Sequence, residues 1–291
     1  MAIAVTEVRW QTGAAAPLGS LPELGERLRG ARRVVVLTGA GCSTGSGIPD
    51  YRDPQGRWKH RRPTLYQDFM AGELVRRRYW ARSMAGWPRV AAAHPNAAHH
   101  ALARLEAAGP VAGLITQNVD GLHRAAGQRA LVELHGRLDR VVCTDCGRLL
   151  DRAGQQAELL RLNPAWEAHL DAHAPDGDAH LEGADYQAFR LPGCPGCGGV
   201  LKPDVVFFGE SVPAERVAAA AGWLEAAEAL LVVGSSLGVW SGLRFARQAH
   251  AAGIPVLAVN QGRTRADPLL DLKVEMDCGE ALQGLAGALG A

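Results

Sequence analysis

The stretch RVVVLTGAGCSTGSGIPDYR, residues 33–52, decides the fold of this 291-residue chain. Its unbroken apolar run at 34–37 is typical of a strand that is buried on both faces, as in a parallel sheet. Gly39, Gly41 and Gly45 follow the run directly. Glycines at this place let backbone N–H groups approach a phosphate closely, although an ordinary tight turn between a strand and a helix has the same pattern. We therefore predict a buried strand that leads either into such a turn or into a nucleotide site.

Other apolar runs of the chain also end in polar residues or glycine. Helical patterns at 97–108, 214–228 and 242–252 precede or separate them. This alternation predicts an α/β fold with an open, Rossmann-like parallel sheet covered by helices. In such sheets the ligand binds at the carboxyl ends of the strands, which is where the polar residues and glycines collect. The runs lie at 114–116, 230–233 and 254–259.

Two segments interrupt the alternation, and we predict that they form a smaller second domain. Residues 51–95 are rich in Arg and Trp and partly helical in pattern, whereas residues 138–199 carry two cysteine pairs. A prior of about 150 residues per domain also favours two units. The predicted small domain therefore combines a helical module, 51–95, with a zinc-binding module, 138–199. The predicted large domain comprises 21–50, 96–137 and 200–291.

The composition restricts the classes of function. Apolar residues make up 47% and charged residues 21% of the chain, which is typical of a folded protein with a sizeable core. The formal net charge is only +1, which argues against nucleic acid or anionic membranes as main partners. No apolar run approaches the roughly 18 residues of a membrane span, and residues 1–20 lack the pattern of a secretory signal. We therefore expect a cytoplasmic protein without a nucleic-acid or membrane partner, and the sequence does not predict its oligomeric state.

The glycine spacing distinguishes two kinds of nucleotide enzyme. The dehydrogenase fingerprint is G-x-G-x-x-G, followed about 20 residues later by an acidic residue at the end of a second strand. Here the third glycine comes one residue too late, and a polar loop at 48–54 replaces the second strand. A nicotinamide dehydrogenase that transfers hydride is therefore disfavoured.

Two C-x-x-C pairs predict a zinc site. Cys143 and Cys146 form the first pair, and Cys194 and Cys197 form the second. Two such pairs supply four thiolates to one tetrahedral Zn²⁺, and a shell filled by protein thiolates leaves no position for a reactive water, so the metal is expected to be structural. Reduced cysteine pairs or a disulfide are the alternatives. The remaining thiols, Cys42 and Cys278, are interpreted as small buried side chains.

Polar residues and two histidines follow the strand at 114–116. Gln117, Asn118 and Asp120 come at its carboxyl end, where a ligand is expected. His123 and His135 are each suited to act as a general base, because an unperturbed imidazole titrates at about pH 6.5. From the residues alone a surface or structural role is favoured for each of them, and the spacing does not choose between the two as a base.

These motifs, taken in order, closely resemble the sirtuins, which are NAD-dependent protein lysine deacylases. The resemblance runs from about residue 21 to 285, with Tyr51 in place of the more usual Phe of the family. RRYWARSMAGWP (77–88), residues 201–210 and the long spacer between the cysteine pairs are most similar to the class II branch around mitochondrial sirtuin four. The motifs are GAGCSTGSGIPDYR (39–52), TQNVDGLH (116–123), ELHG (133–136), both C-x-x-C pairs, LKPDVVFFGE (201–210), GSSL (234–237) and VN (259–260).

The resemblance implies that NAD is a co-substrate and that one structural Zn²⁺ is bound by the four paired cysteines. The diphosphate would lie near 39–43, and Asp120 with the 48–50 loop would hold the nicotinamide carboxamide. Gln117 and Asn118 would position a ribose and a water. The residues implied to bind NAD are Gly39, Ala40, Gly41, Cys42, Ser43, Ile48, Pro49, Asp50, Tyr51, Arg52, Gln117, Asn118, Asp120, Gly234, Ser235, Ser236, Asn260, Gln261, Gly262 and Cys278.

The resemblance also implies the chemistry. The carbonyl oxygen of an acyl-lysine would displace nicotinamide at the anomeric carbon of the ribose. His135 would then act as general base on a ribose hydroxyl, with Asn118 as the second catalytic residue. The products would be the deacylated lysine, nicotinamide and O-acyl-ADP-ribose. Mono-ADP-ribosyl transfer and a lipoamidase activity are variants that the sequence does not separate from this one, and a zinc-ribbon module that binds nucleic acid is the non-enzyme alternative.

The acyl-lysine protein or peptide is implied to lie extended between 205–209 and 238–241, although 205–208 also fits a core strand. Tyr79 and Arg82 share a face if 74–84 is helical, and they resemble the Tyr-x-x-Arg element by which some class II sirtuins bind a carboxylated acyl group. We therefore hypothesise a preference for acidic acyl groups, against a simple solvated basic helix. The residues implied to contact the substrate are Tyr79, Arg82, Val206, Phe207, Phe208, Gly209 and Val239.

Overall fold

A computed structural model describes residues 15–59, 63–164, 166, 169–173, 179–182 and 185–291. None of its helices is both long enough and apolar enough to cross a membrane. The helices are α1 (Leu21–Leu28), α2 (Tyr66–Ala71), α3 (Glu73–Ala91), α4 (Ala97–Ala108), α5 (Leu122–Ala125), α6 (Arg152–Leu162), α7 (Ala214–Glu225), α8 (Trp240–Ala251) and α9 (Cys278–Ala288). The strands are β1 (Val34–Thr38), β2 (Val111–Thr116), β3 (Leu131–Glu133), β4 (Gly136–Cys143), β5 (Leu149–Asp151), β6 (His169–His173), β7 (Ala179–Glu182), β8 (Leu201–Val205), β9 (Ala229–Val233), β10 (Val256–Val259) and β11 (Leu272–Val274).

The central sheet of the described chain has six strands in the order β11-β10-β9-β1-β2-β3. Adjacent strands pair in parallel throughout, and every residue of β1 is buried. Thr38 at the end of β1 is in register with Thr116 on β2 and with Val233 on β9. The carboxyl ends of these three strands therefore lie side by side, and the predicted open parallel sheet is confirmed.

The direction in which the chain crosses the sheet reverses between β1 and β9. From β1 the chain continues to β2 and β3 on one side, and from β9 it continues to β10 and β11 on the other. Loops that diverge at such a point leave a crevice at the strand ends. The two loops touch here, because the Gly41 N–H donates to the carbonyl oxygen of Gly234 at 2.9 Å. A Cβ on Gly41 would lie 2.9 Å from that same oxygen, so this close approach requires glycine.

Helices cover both faces of this sheet. α1, α4 and α9 pack against one face, where Leu102 and Leu282 have no exposed surface. α7 and α8 pack against the other face, where Leu224 and Phe245 are fully buried. Burying one such side chain contributes about 1.5–3 kcal/mol, so both apolar layers hold the strand ends in a fixed arrangement.

A smaller lobe contains the antiparallel sheet β5-β4-β8, the hairpin β6–β7 and the helices α2, α3 and α6. Its core includes Phe69, Trp80, Phe189 and Phe207. Trp80 is 1% exposed, and its indole N–H donates to the carbonyl oxygen of Leu201 at 3.0 Å. This bond ties α3 of the helical module to β8 of the smaller sheet.

The observed elements differ from the predicted ones at specific places. The helices predicted at 97–108, 214–228 and 242–252 occur as Ala97–Ala108, Ala214–Glu225 and Trp240–Ala251. The sequence pattern does not predict β3 or β11, because three residues are too few to show periodicity. β8 lies in the range 200–291 that was predicted for the large domain, yet it pairs with β4 in the smaller sheet. The cysteine pairs account for this pairing, since joining them sets Cys143 opposite Leu201.

Candidate active site

A cavity of about 290 Å³ opens at the carboxyl ends of the parallel strands. Gly39, Gln117 and Gly234, which follow β1, β2 and β9, form one side of it. Tyr79 of α3 and the residues that follow β8 form the other side. The cavity therefore lies between the large sheet and the smaller lobe, at the place where the sequence predicts a ligand.

A hydrogen-bonded chain fixes the polar residues that follow β2. The amide group of Asn118 donates to the carbonyl oxygen of Gly39 at 3.0 Å and to the hydroxyl oxygen of Ser43 at 3.1 Å. The Ser43 hydroxyl in turn donates to the carboxylate of Asp120 at 2.8 Å. Burial raises the pKa of Asp120, while hydrogen bonds from the Leu122 N–H and Ser43 oppose that rise. The loops after β1 and β2 are thus held together by side chains that also line the cavity.

His135 lines the same cavity, and both of its ring nitrogens are engaged. Its Nδ1 is 2.9 Å from the backbone oxygen of Gln117, and its Nε2 is 2.8 Å from the hydroxyl oxygen of Ser241. A carbonyl oxygen only accepts, so Nδ1 carries the proton and Nε2 presents its lone pair, to which Ser241 donates. This is the tautomer that a general base acting through Nε2 requires.

The surroundings of His135 keep its ring neutral. Burial lowers the pKa of the imidazole to about 4. The hydrogen bond to Gln117 opposes this change, whereas the positive charge of Arg216 adds to it. The ring is therefore unprotonated, and available to take up a proton, well below neutral pH.

His123, the other candidate base, is not among the described residues that line the cavity. Only 2% of it is exposed. Its Nε2 lies 3.0 Å from the hydroxyl of Thr38, which bonds Thr116 at 2.9 Å, and its ring lies 4.6 Å from that of His99. The structure thus distinguishes the two histidines, and His123 belongs to the core beneath the strand ends.

Most residues predicted to bind NAD line the cavity. Cys42, Pro49 and Gly262 are not among its described lining residues. Cys42 is 1% exposed and packs into the apolar layer under α4 and α9. A Cβ on Gly262 would lie 2.4 Å from the carbonyl oxygen of Pro54, so this glycine permits a close backbone approach instead. The predicted residues that do line the cavity are Gly39, Ala40, Gly41, Ser43, Ile48, Asp50, Tyr51, Arg52, Gln117, Asn118, Asp120, Gly234, Ser235, Ser236, Asn260, Gln261 and Cys278.

The residues predicted to contact the acyl-lysine substrate divide in the same way. Val206, Phe207, Phe208 and Val239 line the cavity, as does Tyr79. Gly209 and Arg82 are absent from its described lining. The Gly209 carbonyl oxygen instead accepts a hydrogen bond from the Gln67 amide at 2.8 Å, which attaches this loop to α2.

Trp58 is a cavity residue that sequence analysis does not single out. Its ring lies 4.2 Å from the guanidinium carbon of Arg52, and it meets Tyr51 and Phe208 edge to face at 5.9 and 5.7 Å between centroids. It therefore connects the 48–52 loop with the segment after β8. The only signal in the sequence is an aromatic residue among basic ones, and no periodicity marks its position. Asp53, Lys59 and Asp277 are likewise cavity residues that no motif marks, and Thr44 lies within the 39–52 motif but is not predicted as a contact.

The four paired cysteines meet in the smaller lobe. Their Sγ atoms all lie within 4.8 Å of one another. The Cys143–Cys197 and Cys146–Cys194 sulfurs are 3.5 and 3.8 Å apart, and no disulfide joins them. Zn–S bonds of about 2.3 Å in a tetrahedron place the sulfurs about 3.8 Å apart, which is close to both of these separations. Four thiolates leave no open coordination position, which makes the site structural.

Comparison with known proteins identifies the family. The model of the Sir2 family matches residues 39–241. The chain belongs to the Sir2 family. A protein of Xanthomonas campestris pv. campestris named "NAD-dependent protein deacetylase" is 57% identical over 261 residues, which are 90% of this chain and 89% of that protein. A protein of the same name from Bordetella bronchiseptica is 58% identical over 255 residues, 88% of this chain and 93% of that one.

Solved structures of Sir2 proteins share the fold. One described as "Sir2 bound to acetylated peptide" has a TM-score of 0.74 at 27% identity and covers 94% of this chain and 99% of its own. Another, described as "Sir2-p53 peptide-NAD+", has a TM-score of 0.74 at 28% identity with the same coverage. Membership in the Sir2 family confirms the predicted fold, the enzyme class and NAD as co-substrate, and the cysteine cluster agrees with the predicted zinc.

Proposed function

We propose that this Sir2 protein is a protein lysine deacylase that consumes NAD, releases nicotinamide and transfers the acyl group to ADP-ribose. The arrangement of His135 carries the proposal, because its neutral ring lines the cavity and its Nε2 accepts a hydrogen bond from the Ser241 hydroxyl, a bond that a substrate hydroxyl would replace. The names of the relatives at 57% and 58% identity support deacetylation as the reaction. Acyl-lysine side chains of proteins or peptides are the substrates.

The chain's own residues would share the work as follows. When bound, NAD supplies the electrophilic ribose carbon and the leaving nicotinamide. Asn118 and Ser43 orient Asp120 at the strand ends, and Asp120 offers a buried carboxylate to an amide such as the carboxamide of nicotinamide. His135 takes a proton at Nε2 and holds it while Gln117 stabilises the opposite N–H. Positioning and a single proton transfer are thus the contributions of the protein.

The apolar wall after β8 supports an extended acyl-peptide site. Val206, Phe207 and Phe208 line the cavity next to His135. The Val206 N–H already donates to the carbonyl oxygen of His135 at 2.8 Å. A peptide that runs along this segment would bring its acyl-lysine close to the base. Strand addition of this kind gives affinity with little dependence on the peptide sequence.

The similarity to the class II branch and the preference for acidic acyl groups are finer proposals. Tyr79 in the cavity wall supports the idea that α3 contributes to an acyl pocket. Arg82 follows one turn later on α3, where its guanidinium would have to turn toward the cavity to bind a carboxylate. Mono-ADP-ribosyl transfer and removal of a lipoyl-type group use the same cavity and base, and product analysis distinguishes them.

Replacement of His135 tests the proposal. Loss of a general base slows a reaction by about 10²–10⁴-fold, so His135→Ala should lose at least 100-fold in kcat with an acetyl-lysine peptide. The Kd for NAD should change less than about threefold, because the ring contributes a proton acceptor rather than a binding surface. Nicotinamide and O-acetyl-ADP-ribose are quantified by chromatography, and NAD binding by calorimetry. His250→Ala, at an exposed histidine that ends α8, is the matched control and should keep full activity.

Two results would reject this function. One is that His135→Ala turns over as fast as the unaltered protein. The other is that the unaltered protein releases no nicotinamide with any of a panel of acyl-lysine peptides. Nicotinamide release with ADP-ribose joined to the protein substrate would instead indicate the transferase variant.

A further inference from the structure

A second group of metal-binding side chains lies beneath the nucleotide loop, apart from the zinc cluster. It consists of the Sγ of Cys42 and one ring nitrogen each of His99 and His123, all within 4.8 Å of one another. Cys42 is 1%, His99 0% and His123 2% exposed. The proposed chemistry does not use any of these three side chains.

Both imidazoles in this group have one nitrogen bonded and one without a partner. His99 Nδ1 accepts from the Asn96 N–H at 3.2 Å, and His123 Nε2 pairs with the Thr38 hydroxyl at 3.0 Å. The other two nitrogens, His99 Nε2 and His123 Nδ1, are buried without a hydrogen-bond partner among the described residues. A buried polar atom without a partner costs about 1–3 kcal/mol, so two of them beside a thiol call for a ligand.

We propose that Cys42, His99 and His123 form a site for a single Cu⁺ ion. A thiolate with imidazole nitrogens is a ligand set that soft d¹⁰ cations favour. Three protein ligands satisfy Cu⁺, whereas Zn²⁺ would need a fourth, and no fourth side chain is in this cluster among the described residues. The charge of the site also favours Cu⁺ over Zn²⁺. One thiolate neutralises Cu⁺, whereas Zn²⁺ would keep a net positive charge in an apolar layer.

Binding exchanges protons in a defined way. The Cys42 thiol loses its proton to solvent as the Cu–S bond forms, so the charge of the buried site does not change. His123 already presents a lone pair at Nδ1 if its Nε2–H donates to Thr38. His99 has its proton on Nε2, since Nδ1 accepts from Asn96, and this proton moves to Nδ1 when Nε2 binds the ion. The Asn96 N–H then loses its acceptor and faces the new Nδ1–H, so the metal–nitrogen bond has to offset the loss of that 3.2 Å hydrogen bond.

The location of the site also connects it to the cavity. The Asn96 side-chain amide donates to the carbonyl oxygen of Cys42 at 2.9 Å, and Cys42 lies between the cavity residues Gly41 and Ser43. Bond lengths of about 2.0–2.3 Å require ligand atoms about 3.5–3.8 Å apart. The distances between the ligand atoms must therefore shorten by up to about 1 Å on binding. This shift requires Cys42 and the rest of the loop after β1 to move together. We accordingly expect slow loading of the folded protein.

Metal analysis of the zinc-loaded protein tests this site. The protein is incubated anaerobically with buffered Cu⁺ and desalted, and both metals are quantified. We expect one copper per chain with the zinc content unchanged. Cys42→Ser should lower the copper content from one to near zero without loss of zinc. The control Cys194→Ser, in the four-cysteine cluster, should lose zinc and still bind one copper.

X-ray absorption at the copper edge keeps the proposal testable even if a variant fails to fold. One sulfur and two nitrogen neighbours around copper in the unaltered protein support the site. Sulfur-only coordination, or copper uptake matched by loss of zinc, would assign the copper to the four-cysteine cluster and overturn it. Failure to bind copper, or equal copper loss in Cys194→Ser and Cys42→Ser, would overturn it as well.

Discussion

The Nδ1–H of His135 donates to the backbone carbonyl oxygen of Gln117 at 2.9 Å, and this bond leaves Nε2 as the ring nitrogen that carries a lone pair. Gln117 is itself held at the strand ends, because its N–H donates to the carbonyl oxygen of Thr38 at 3.0 Å and its side-chain amide donates to Ser235 at 2.8 Å. The parallel sheet therefore sets the orientation of the proposed base, which does not belong to the sheet.

Activity should persist to lower pH than a free imidazole would allow. Because burial lowers the pKa of His135 to about 4, the base remains neutral through the range in which an ordinary histidine becomes protonated. We expect no acid limb near pH 6.5 in kcat/KM for NAD, and a decline only as the pH approaches about 4. The measurement is kcat/KM between pH 4.5 and 8, with folding checked at each pH. A midpoint at 6.5 would contradict the burial argument.

The same pKa makes stability depend on pH with a definite sign. The unfolded chain binds a proton at His135 at about pH 6.5, whereas the folded protein binds it only at about 4. Between these values the unfolded state holds more protons, so the free energy of unfolding falls as the pH drops from about 6.5. His135→Asn should show a shallower fall in denaturant melts over this interval. Identical slopes for the two proteins would show that His135 is not responsible.

Removal of one zinc ligand should damage the small lobe without altering the chemical step. Cys194→Ser leaves three thiolates, so we expect loss of the bound zinc and a fall in thermal stability. Metal content and thermal melting measure both effects. Cys278→Ser, whose thiol lies outside the cluster, should retain its zinc. Because the cluster has no open position, cadmium substituted for zinc in the unaltered protein should support turnover, and a strict requirement for zinc would argue against a structural role.

The central fold was predictable because its helices have long periodic patterns and its strands are apolar runs that end in glycine or polar residues. The helix predicted at 97–108 was found at Ala97–Ala108, and the apolar runs at 34–37 and 230–233 became the two strands at the switch point. The cysteine spacing likewise predicted a metal cluster, because each C-x-x-C pair is a short motif that can be recognised in the sequence. The strand β8 was harder to place, because its pairing with β4 depends on how distant cysteines meet.

Contacts between distant side chains set the limit of prediction at the site. The choice between His123 and His135 depended on the Gln117 carbonyl oxygen and on burial, and neither has a sequence signature. Trp58 is positioned by contacts with the rings of Tyr51 and Phe208, and the sequence does not show these contacts. Motif resemblance identified which residues gather at the cavity, but only coordinates showed that Cys42 faces away from it.

An acidic acyl preference would depend on Arg82. A hydrogen bond to a charged group is worth about 1.5–3 kcal/mol, so Arg82→Ala should lower the ratio of kcat/KM for succinyl-lysine over acetyl-lysine peptides by about tenfold or more. Arg78→Ala, at an exposed arginine of the same helix, is the matched control and should leave the ratio unchanged. An unaltered ratio in Arg82→Ala would leave the basic face of α3 as a solvated surface.

An ion pair between Lys202 and Glu210 holds the segment that follows β8. Lys202 is 5% exposed, and its ammonium lies 3.1 Å from the Glu210 carboxylate, which also accepts the Phe207 N–H at 2.8 Å. The same ammonium donates to the carbonyl oxygen of Val205 and lies 4.7 Å from the Phe207 ring centroid. A buried cation thus joins both ends of the loop that offers Val206 and Phe208 to the cavity.

Replacement of this cation should therefore affect the peptide and not NAD. Lys202→Met leaves the Glu210 carboxylate without its cation, so the loop should become less ordered. We expect about a tenfold rise in KM for the acyl-peptide, which corresponds to about 1.4 kcal/mol of binding free energy. The KM for NAD should change less than twofold, because residues after β1, β2 and β9 form that side of the cavity. Arg161→Met, which breaks an exposed ion pair with Glu158 on α6, should change neither constant. Equal changes in both KM values would show that Lys202 supports the whole cavity and not the peptide segment alone.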